Sequence, residues 1–133
     1  MIVADASAIL EVLLHTTAAA AIESRVFRRG ETTHVPALID LEVAQVLRRY
    51  VARREVTPAR ATLALDLLIG FPMQRYTHEP LLTRIWELRE NLTAYDAAYV
   101  ALAEGLRAPL VTCDARLANA PGIRASVELF GQP

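Results

Sequence analysis

Ile2-Val3-Ala4-Asp5-Ala6-Ser7 opens the chain, and Pro109-Leu110-Val111-Thr112-Cys113-Asp114 repeats its plan near the far end. In each, a short apolar run reads as a buried strand and gives way, at an acid, to a helix-like run. Between them the pattern alternates. A helix is expected from Ala6 to Leu14 and another from Thr17 to Arg29, ending at Gly30 as a C-terminal cap. Thr32 to Val35 reads as a strand, and Pro36 opens a helix to Arg53 as a first-turn proline. Thr57-Pro58 supplies an N-cap and first position for a helix that stops at Gly70. Met73 to Tyr76 is a weaker strand, followed by helices from Glu79 to Glu90 and Thr93 to Leu106. Leu110 to Thr112 is a strand, a short helix follows Asp114, and Val127 to Phe130 is a last edge strand. Strands alternating with helices predict an α/β fold with a mostly parallel sheet covered on both faces.

The chain has 133 residues, 53% of them hydrophobic, which suits a single domain spanning 1–133 with a real core. Its longest apolar run, Ala97 to Ala103, falls far short of the roughly 20 residues a membrane span needs. No basic segment precedes an apolar stretch at the start, and Cys113 is the only cysteine, so no internal disulfide forms. Together these predict a cytoplasmic protein with no membrane partner. The net charge is −1, and all 14 basic residues are Arg. Any mechanism that needs a Lys is therefore excluded. Arg25, Arg28 and Arg29 form one cluster and Arg48, Arg49, Arg53 and Arg54 another; each reads equally as a phosphate-binding patch or a solvated helix face.

In an open parallel sheet, strand-to-helix junctions gather at the carboxyl ends of the strands, where ligand sites form. Asp5, Asp96 and Asp114 occupy such junctions or helix starts. Two carboxylates about 5 Å apart repel by roughly 3 kcal/mol at an effective dielectric near 20, and a hard divalent cation removes that penalty. Each acid also has an ordinary reading. Asp5 and Asp114 are good N-caps, and Thr93-Ala94-Tyr95-Asp96 fits the capping box. Glu42 lies past the first turn of a helix counted from Pro36, so capping does not account for it. It shares a polar side with Gln45, Arg49 and Arg53, opposite Leu41, Ala44, Leu47 and Val51. Asp40 falls among the apolar positions and suits the helix dipole; His15, His34 and His78 lack ligand spacing and read as surface or loop residues.

Taken in order, these segments resemble the four motifs of PIN domains. Ile2 to Ser7 resembles the strand ending in D-x-S; Pro36 to Arg49 is similar to the motif with a helical Glu. Thr93 to Ala103 resembles the third motif, and Leu110 to Asp114 with Leu117 resembles T-x-D. A bare domain of this length looks like a VapC-type toxin. The resemblance implies a three-layer fold with a five-stranded parallel sheet. It also implies Mg2+- or Mn2+-dependent endoribonuclease activity on structured RNA such as tRNA or rRNA, inhibited by a VapB-like antitoxin. Carried over by position, Asp5, Glu42, Asp96 and Asp114 are the catalytic acids, with Asp5, Asp96 and Asp114 as metal ligands and Ser7 and Thr112 in support. One or two cations would activate water and steady the leaving oxygen. A homodimer, joined through the helices between Pro36 and Gly70, and a heterotetramer or larger complex with antitoxin are implied as well. Two departures stand out: Gln45 replaces a common Asn, and Arg116 stands where some PIN domains have a further acid. Phosphatase and receiver folds place acids similarly, but both rely on a Lys. A catalytically silent PIN-like module that binds RNA or protein is the alternative, against which all four acids are present.

Overall fold

The central strands β1 (Ile2–Ala4) and β4 (Leu110–Thr112) lie side by side and parallel, with Val3 opposite Leu110 and Ala4 opposite Val111. Every residue of both is fully buried, as their unbroken apolar sequence requires of strands covered on both faces. The computed structural model describes residues 1–131; positions 132 and 133 of the expected domain lie outside the described residues. On one side of this pair follow β2 (Thr33–Pro36) and β3 (Gln74–Tyr76), on the other β5 (Val127–Leu129). The sheet order is β3-β2-β1-β4-β5, parallel throughout.

Helices α1 (Ala6–Leu13), α2 (Ala19–Val26), α3 (Ile39–Ala52) and α4 (Pro58–Ile69) fill the connections that carry the chain from β1 to β3. A 3₁₀ turn (Glu79–Leu81), α5 (Leu82–Glu87) and α6 (Ala94–Leu106) carry it back across the sheet to β4, and α7 (Ala115–Ala118) leads to β5. Right-handed crossovers put α1–α4 on one face and α5–α7 on the other. Accordingly, α1 contacts α2, α3 and α4, whereas α6 lies over β1, β2 and β4 and contacts α5. Seven consecutive residues of α6, Ala97 to Ala103, are buried. Their mostly small side chains let the helix settle close to the strands. The direction of winding reverses between β1 and β4, so the crevice beyond their carboxyl ends is where such a sheet binds ligands.

Several boundaries differ from the sequence reading. Pro36 ends β2, paired with Tyr76, rather than opening a helix. A proline suits a strand end, where its missing N–H leaves no gap in the ladder. Helix α3 starts three residues later, so Glu42 falls within its first turn. Even so Glu42 does not cap it: α3 has no side-chain cap bond, and Glu42 accepts from the Tyr99 hydroxyl. The Leu38 N–H at this helix start donates to His78 Nε2 at 3.0 Å, so His78 is a structural ligand of the backbone rather than a bystander. The inward face of α3 is Ile39, Val43 and Leu47; Leu41 is 77% exposed, contrary to its expected burial. Asp40 makes a two-pronged pair with Arg75, both oxygens at 2.9 Å. Helix α2 ends at Val26, short of Gly30. Gly30 serves instead in the turn closed by Glu31 N–H to Arg28 O, at φ +79°, which costs glycine little. The cap at Thr57, with Pro58 in the first position, is as read.

Arg25 leaves its expected surface cluster. Its guanidinium bonds Glu31 and, at 2.7 Å, Glu128, tying α2 to edge strand β5. The N-terminal ammonium also reaches Glu31 at 2.6 Å. Among the described residues no helix is long and apolar enough to cross a membrane.

Candidate active site

Asp5 is the first residue beyond β1 and the N-cap of α1, so capping and site membership are two uses of one carboxylate. Its Oδ1 accepts from Ala8 N–H at 3.0 Å and from the Ser7 hydroxyl at 2.6 Å; its Oδ2 accepts from the Thr112 hydroxyl at 2.6 Å. Ser7 Oγ in turn accepts from Cys113 N–H at 2.9 Å, and Thr112 Oγ1 accepts from Asp114 N–H at 3.0 Å. The two hydroxyls therefore stitch the end of β1 to the end of β4 and fix the Asp5 rotamer. Asp5 is only 5% exposed.

Asp114 caps α7 through Oδ1, which accepts from Arg116 N–H at 2.9 Å and Leu117 N–H at 3.4 Å. Thr93 caps α6, accepting from Asp96 N–H at 3.2 Å, and this places Asp96 in the first turn. Glu42 is held by Tyr99, whose hydroxyl donates to Oε1 at 2.6 Å. Asp5, Ser7, Glu42, Asp96 and Asp114 line one cleft of about 250 Å³, with Thr112 fully buried behind it. All six expected residues thus meet at the topological switch point.

The electrostatics show how closely the acids feel one another. Burial raises the Asp5 carboxyl above the ordinary carboxylate range despite the hydrogen bonds from Ser7, Thr112 and Ala8, and the Asp96 charge adds to the rise. Glu42 is raised by burial, then by Asp96 and Asp5, with the Tyr99 hydroxyl opposing. Asp96 is raised by burial and by Asp114, while Thr93 and Arg116 pull it down. Among the described residues the one ion pair to the set is Arg116 to Asp114 at 3.7 Å, and Arg116 is 94% exposed, where solvent screens it. Carboxylates with unmet charge are the kind of all-oxygen donors that suit a hard divalent cation. Among the described residues no three His, Cys, Asp or Glu side chains already converge into a coordination sphere. The acids border the cleft rather than close on a point.

Residues 2–123 match the PIN-domain family. This chain belongs to the PIN-domain family. Within it the similarity is to VapC ribonucleases. VapC12 of Mycobacterium tuberculosis is 43% identical over 129 residues, 97% of this chain and 98% of that protein. VapC9 of the same organism is 45% identical over 119 residues, 90% of each. Two solved structures share the fold. VapBC2 from Rickettsia felis, bound to a DNA fragment from their promoter, has a TM-score of 0.72 at 13% identity, covering 98% of this chain and 100% of that one. PAE2754 from Pyrobaculum aerophilum has a TM-score of 0.71 at 23% identity, covering 94% and 81%.

This PIN domain also brings to the cleft Arg49, which shares the polar side of Glu42 in the sequence, and three residues to which the sequence assigns no role: Glu11, Tyr50 and Tyr99. Two had a signal. Glu11 stands four residues after Ser7 on α1, and Tyr99 three after Asp96 on α6, so helical spacing puts each on a site-facing stripe. Tyr50 follows only from how α3 is turned against the sheet.

Proposed function

We propose that this PIN domain is the toxin of a toxin–antitoxin pair: a Mg2+- or Mn2+-dependent endoribonuclease that cleaves structured RNA, tRNA or rRNA, in the cytoplasm. The observation that carries this reading is the gathering of Asp5, Glu42, Asp96 and Asp114, from four separate segments, around one cleft with uncompensated charge. The names of the VapC relatives, ribonucleases all, agree with it.

Asp5, Asp96 and Asp114 would hold the cation, which when bound supplies Lewis-acid charge to a phosphodiester and to the attacking water. Ser7 and Thr112 keep Asp5 in one orientation. Glu42 has Oε1 fixed by Tyr99, which leaves Oε2 to take up or return a proton. Because the chain as a whole is slightly acidic, RNA must be held by local cations, and Arg49 and Arg116 border the cleft and its neighbouring recess. A cognate, VapB-like antitoxin would silence the site by laying a cationic side chain against the acids. Exposed Leu63, Leu67 and Ile69 on α4 suit a homodimer, and hence a heterotetramer or larger complex with antitoxin.

Expression of the chain alone should arrest growth and fragment tRNA or rRNA. Co-expression with a small reading frame beside it should restore growth and yield a stable complex. Folded, cation-loaded protein that binds RNA and leaves it intact would instead establish the silent module.

Tyr99→Phe should lower cleavage by about tenfold, the low end for a lost orienting contact, and move the acid limb of the pH–rate profile upward. The Tyr99 hydrogen bond opposes the burial that raises Glu42, so its loss lets that carboxyl climb further. A profile that keeps its shape would remove Glu42 from the proton chemistry.

A further inference from the structure

A second groove, of about 450 Å³, opens beside the acidic cleft and is bounded by seven residues: Leu38, Leu41, Glu42, Gln45, Val46, Arg49 and Tyr95. Three of them, Glu42, Val46 and Arg49, line both hollows, so the two are continuous. Tyr95 is 64% exposed and precedes the catalytic Asp96 directly, while Leu41 is 77% exposed. Among the described residues the Arg49 guanidinium makes no ion pair or hydrogen bond, in contrast to Arg25, Arg75 and Arg84, which all engage carboxylates. A third recess, of about 260 Å³, shares Asp96 and Asp114 with the cleft and none of the groove's residues, and carries Asn91, Thr93 and Arg116. The acids therefore sit midway along a track, apolar and aromatic at one end and polar at the other.

We propose that the groove seats the base of the nucleotide next to the scissile phosphate, stacked on Tyr95, with Gln45 reading its edge and Arg49 holding its phosphate. This inference rests on the ribonuclease reading of the adjoining cleft. Single-stranded RNA is recognised by splaying bases onto exposed aromatic faces and reading their edges by hydrogen bonds. The groove supplies each part of that chemistry: a ring at Tyr95, aliphatic walls at Leu38 and Leu41, an amide at Gln45 that both donates and accepts, and an uncommitted guanidinium toward the cleft. Seven lining residues fall well short of the roughly 20 a side that a stable protein interface uses, and the polar edge is unsuited to a purely apolar helix. An occupant that continues into an acidic, cation-binding cleft must bring a phosphate with it. A nucleotide does.

The test uses the full chain, free of antitoxin, and a library of short single-stranded RNAs. Binding is read by fluorescence anisotropy without divalent cation; cut positions are read by sequencing with Mn2+. Tyr95→Ala should weaken binding about tenfold, typical for loss of a stacking aromatic, and flatten the base preference at one position beside the cut. Tyr95→Phe should restore both, and Gln45→Ala should change the preferred base while Mn2+ affinity stays as in the parent. If the parent cuts RNA and Tyr95→Ala binds and cuts with the same preference, the subsite is wrong and the nuclease reading stands. If the parent binds but never cuts, and Tyr95→Ala loses binding, the base site holds and the nuclease reading fails. An effect of Tyr95→Ala confined to the mass in solution or to antitoxin affinity would assign the groove to a protein and overturn the proposal, as would a parent that binds no RNA.

Discussion

Asp96→Asn is expected to reduce RNA cleavage by about a hundredfold or more while leaving the protein folded and no less stable, since even outer-shell changes at metal sites cost up to about that factor. The two halves of this result come from two roles of one residue. In α6 the Asp96 backbone N–H makes the bond to Thr93 Oγ1, and that bond survives the substitution; the help that the Thr93 hydroxyl gives the carboxylate can pass to the oxygen of an amide. The carboxylate itself is held above its ordinary range by burial and by Asp114, so in the metal-free fold its charge is a burden and an amide relieves it. Cation binding, by contrast, loses a ligand charge. Asp5→Asn should abolish activity too, but it is the less clean variant. Ala8 N–H and two hydroxyls converge on the Asp5 oxygens, so an amide NH2 must face a donor until Thr112 turns its hydroxyl, at a cost of about 1–2 kcal/mol. Asp40→Asn, which touches only the Arg75 pair outside the cleft, should leave cleavage near the parent's rate.

Divalent cation should stabilise the fold, and more so as pH rises. Asp5, Glu42 and Asp96 have carboxyls raised in the folded state, so their protonated forms favour folding. That contribution is complete below the ordinary carboxylate value and is lost as pH climbs through the raised values. Metal-free protein should therefore grow less stable as pH rises from the ordinary carboxylate value through the raised ones. Mn2+ should reverse the loss, because it binds the ionised acids and competes with their protons. At a hundredfold excess over its dissociation constant it adds about 2.7 kcal/mol, a rise of about 10 °C in melting temperature for a domain of this size. Glu31 works in the opposite direction. The N-terminal ammonium and then Arg25 hold it down to about 2, so its stabilisation is present at neutral pH and fades as pH falls from the ordinary carboxylate value toward about 2. Glu104, lowered through Arg84 and the Arg124 N–H against its own burial, acts likewise. Melts across this range, with and without Mn2+, should show a metal-free optimum on the acid side and a flatter curve with the ion. A metal-free protein that gains stability steadily up to neutral pH would contradict the crowding of the acids.

What the sequence disclosed was whatever is local. Strand-to-helix junctions at Asp5 and Asp114, the Thr57-Pro58 start and the Thr93 cap are each decided within a few residues, and each stands in the fold as read. Elements decided by partners far apart in the chain are not legible in this way. Pro36 reads as a helix opener until Tyr76 claims it for the sheet, and the start of α3 is completed by His78, 40 residues on. Displacing that start moved Glu42 into the first turn and misjudged Leu41, yet Glu42 kept its place at the site because its position is set by Tyr99, 57 residues away. The links from Thr112 to Asp5 and Ser7, across more than 100 residues, are likewise invisible to periodicity; the family motifs imply that Ser7 and Thr112 support the acids, and the fold shows which oxygen each one holds. Of the helices from Pro36 to Gly70, α4 remains the proposed dimer surface, on the strength of its exposed Leu63, Leu67 and Ile69.

The central claim is that these acids form a cation site and are not only helix caps. Calorimetric titration of Mn2+ into metal-free, antitoxin-free protein tests it most directly, with Asp96→Asn run beside the parent and circular dichroism confirming both folds. Saturable binding to the parent and at least about tenfold weaker binding to the variant are expected. A parent that takes up no Mn2+ at millimolar concentration, or a variant that binds it as tightly as the parent, would contradict it.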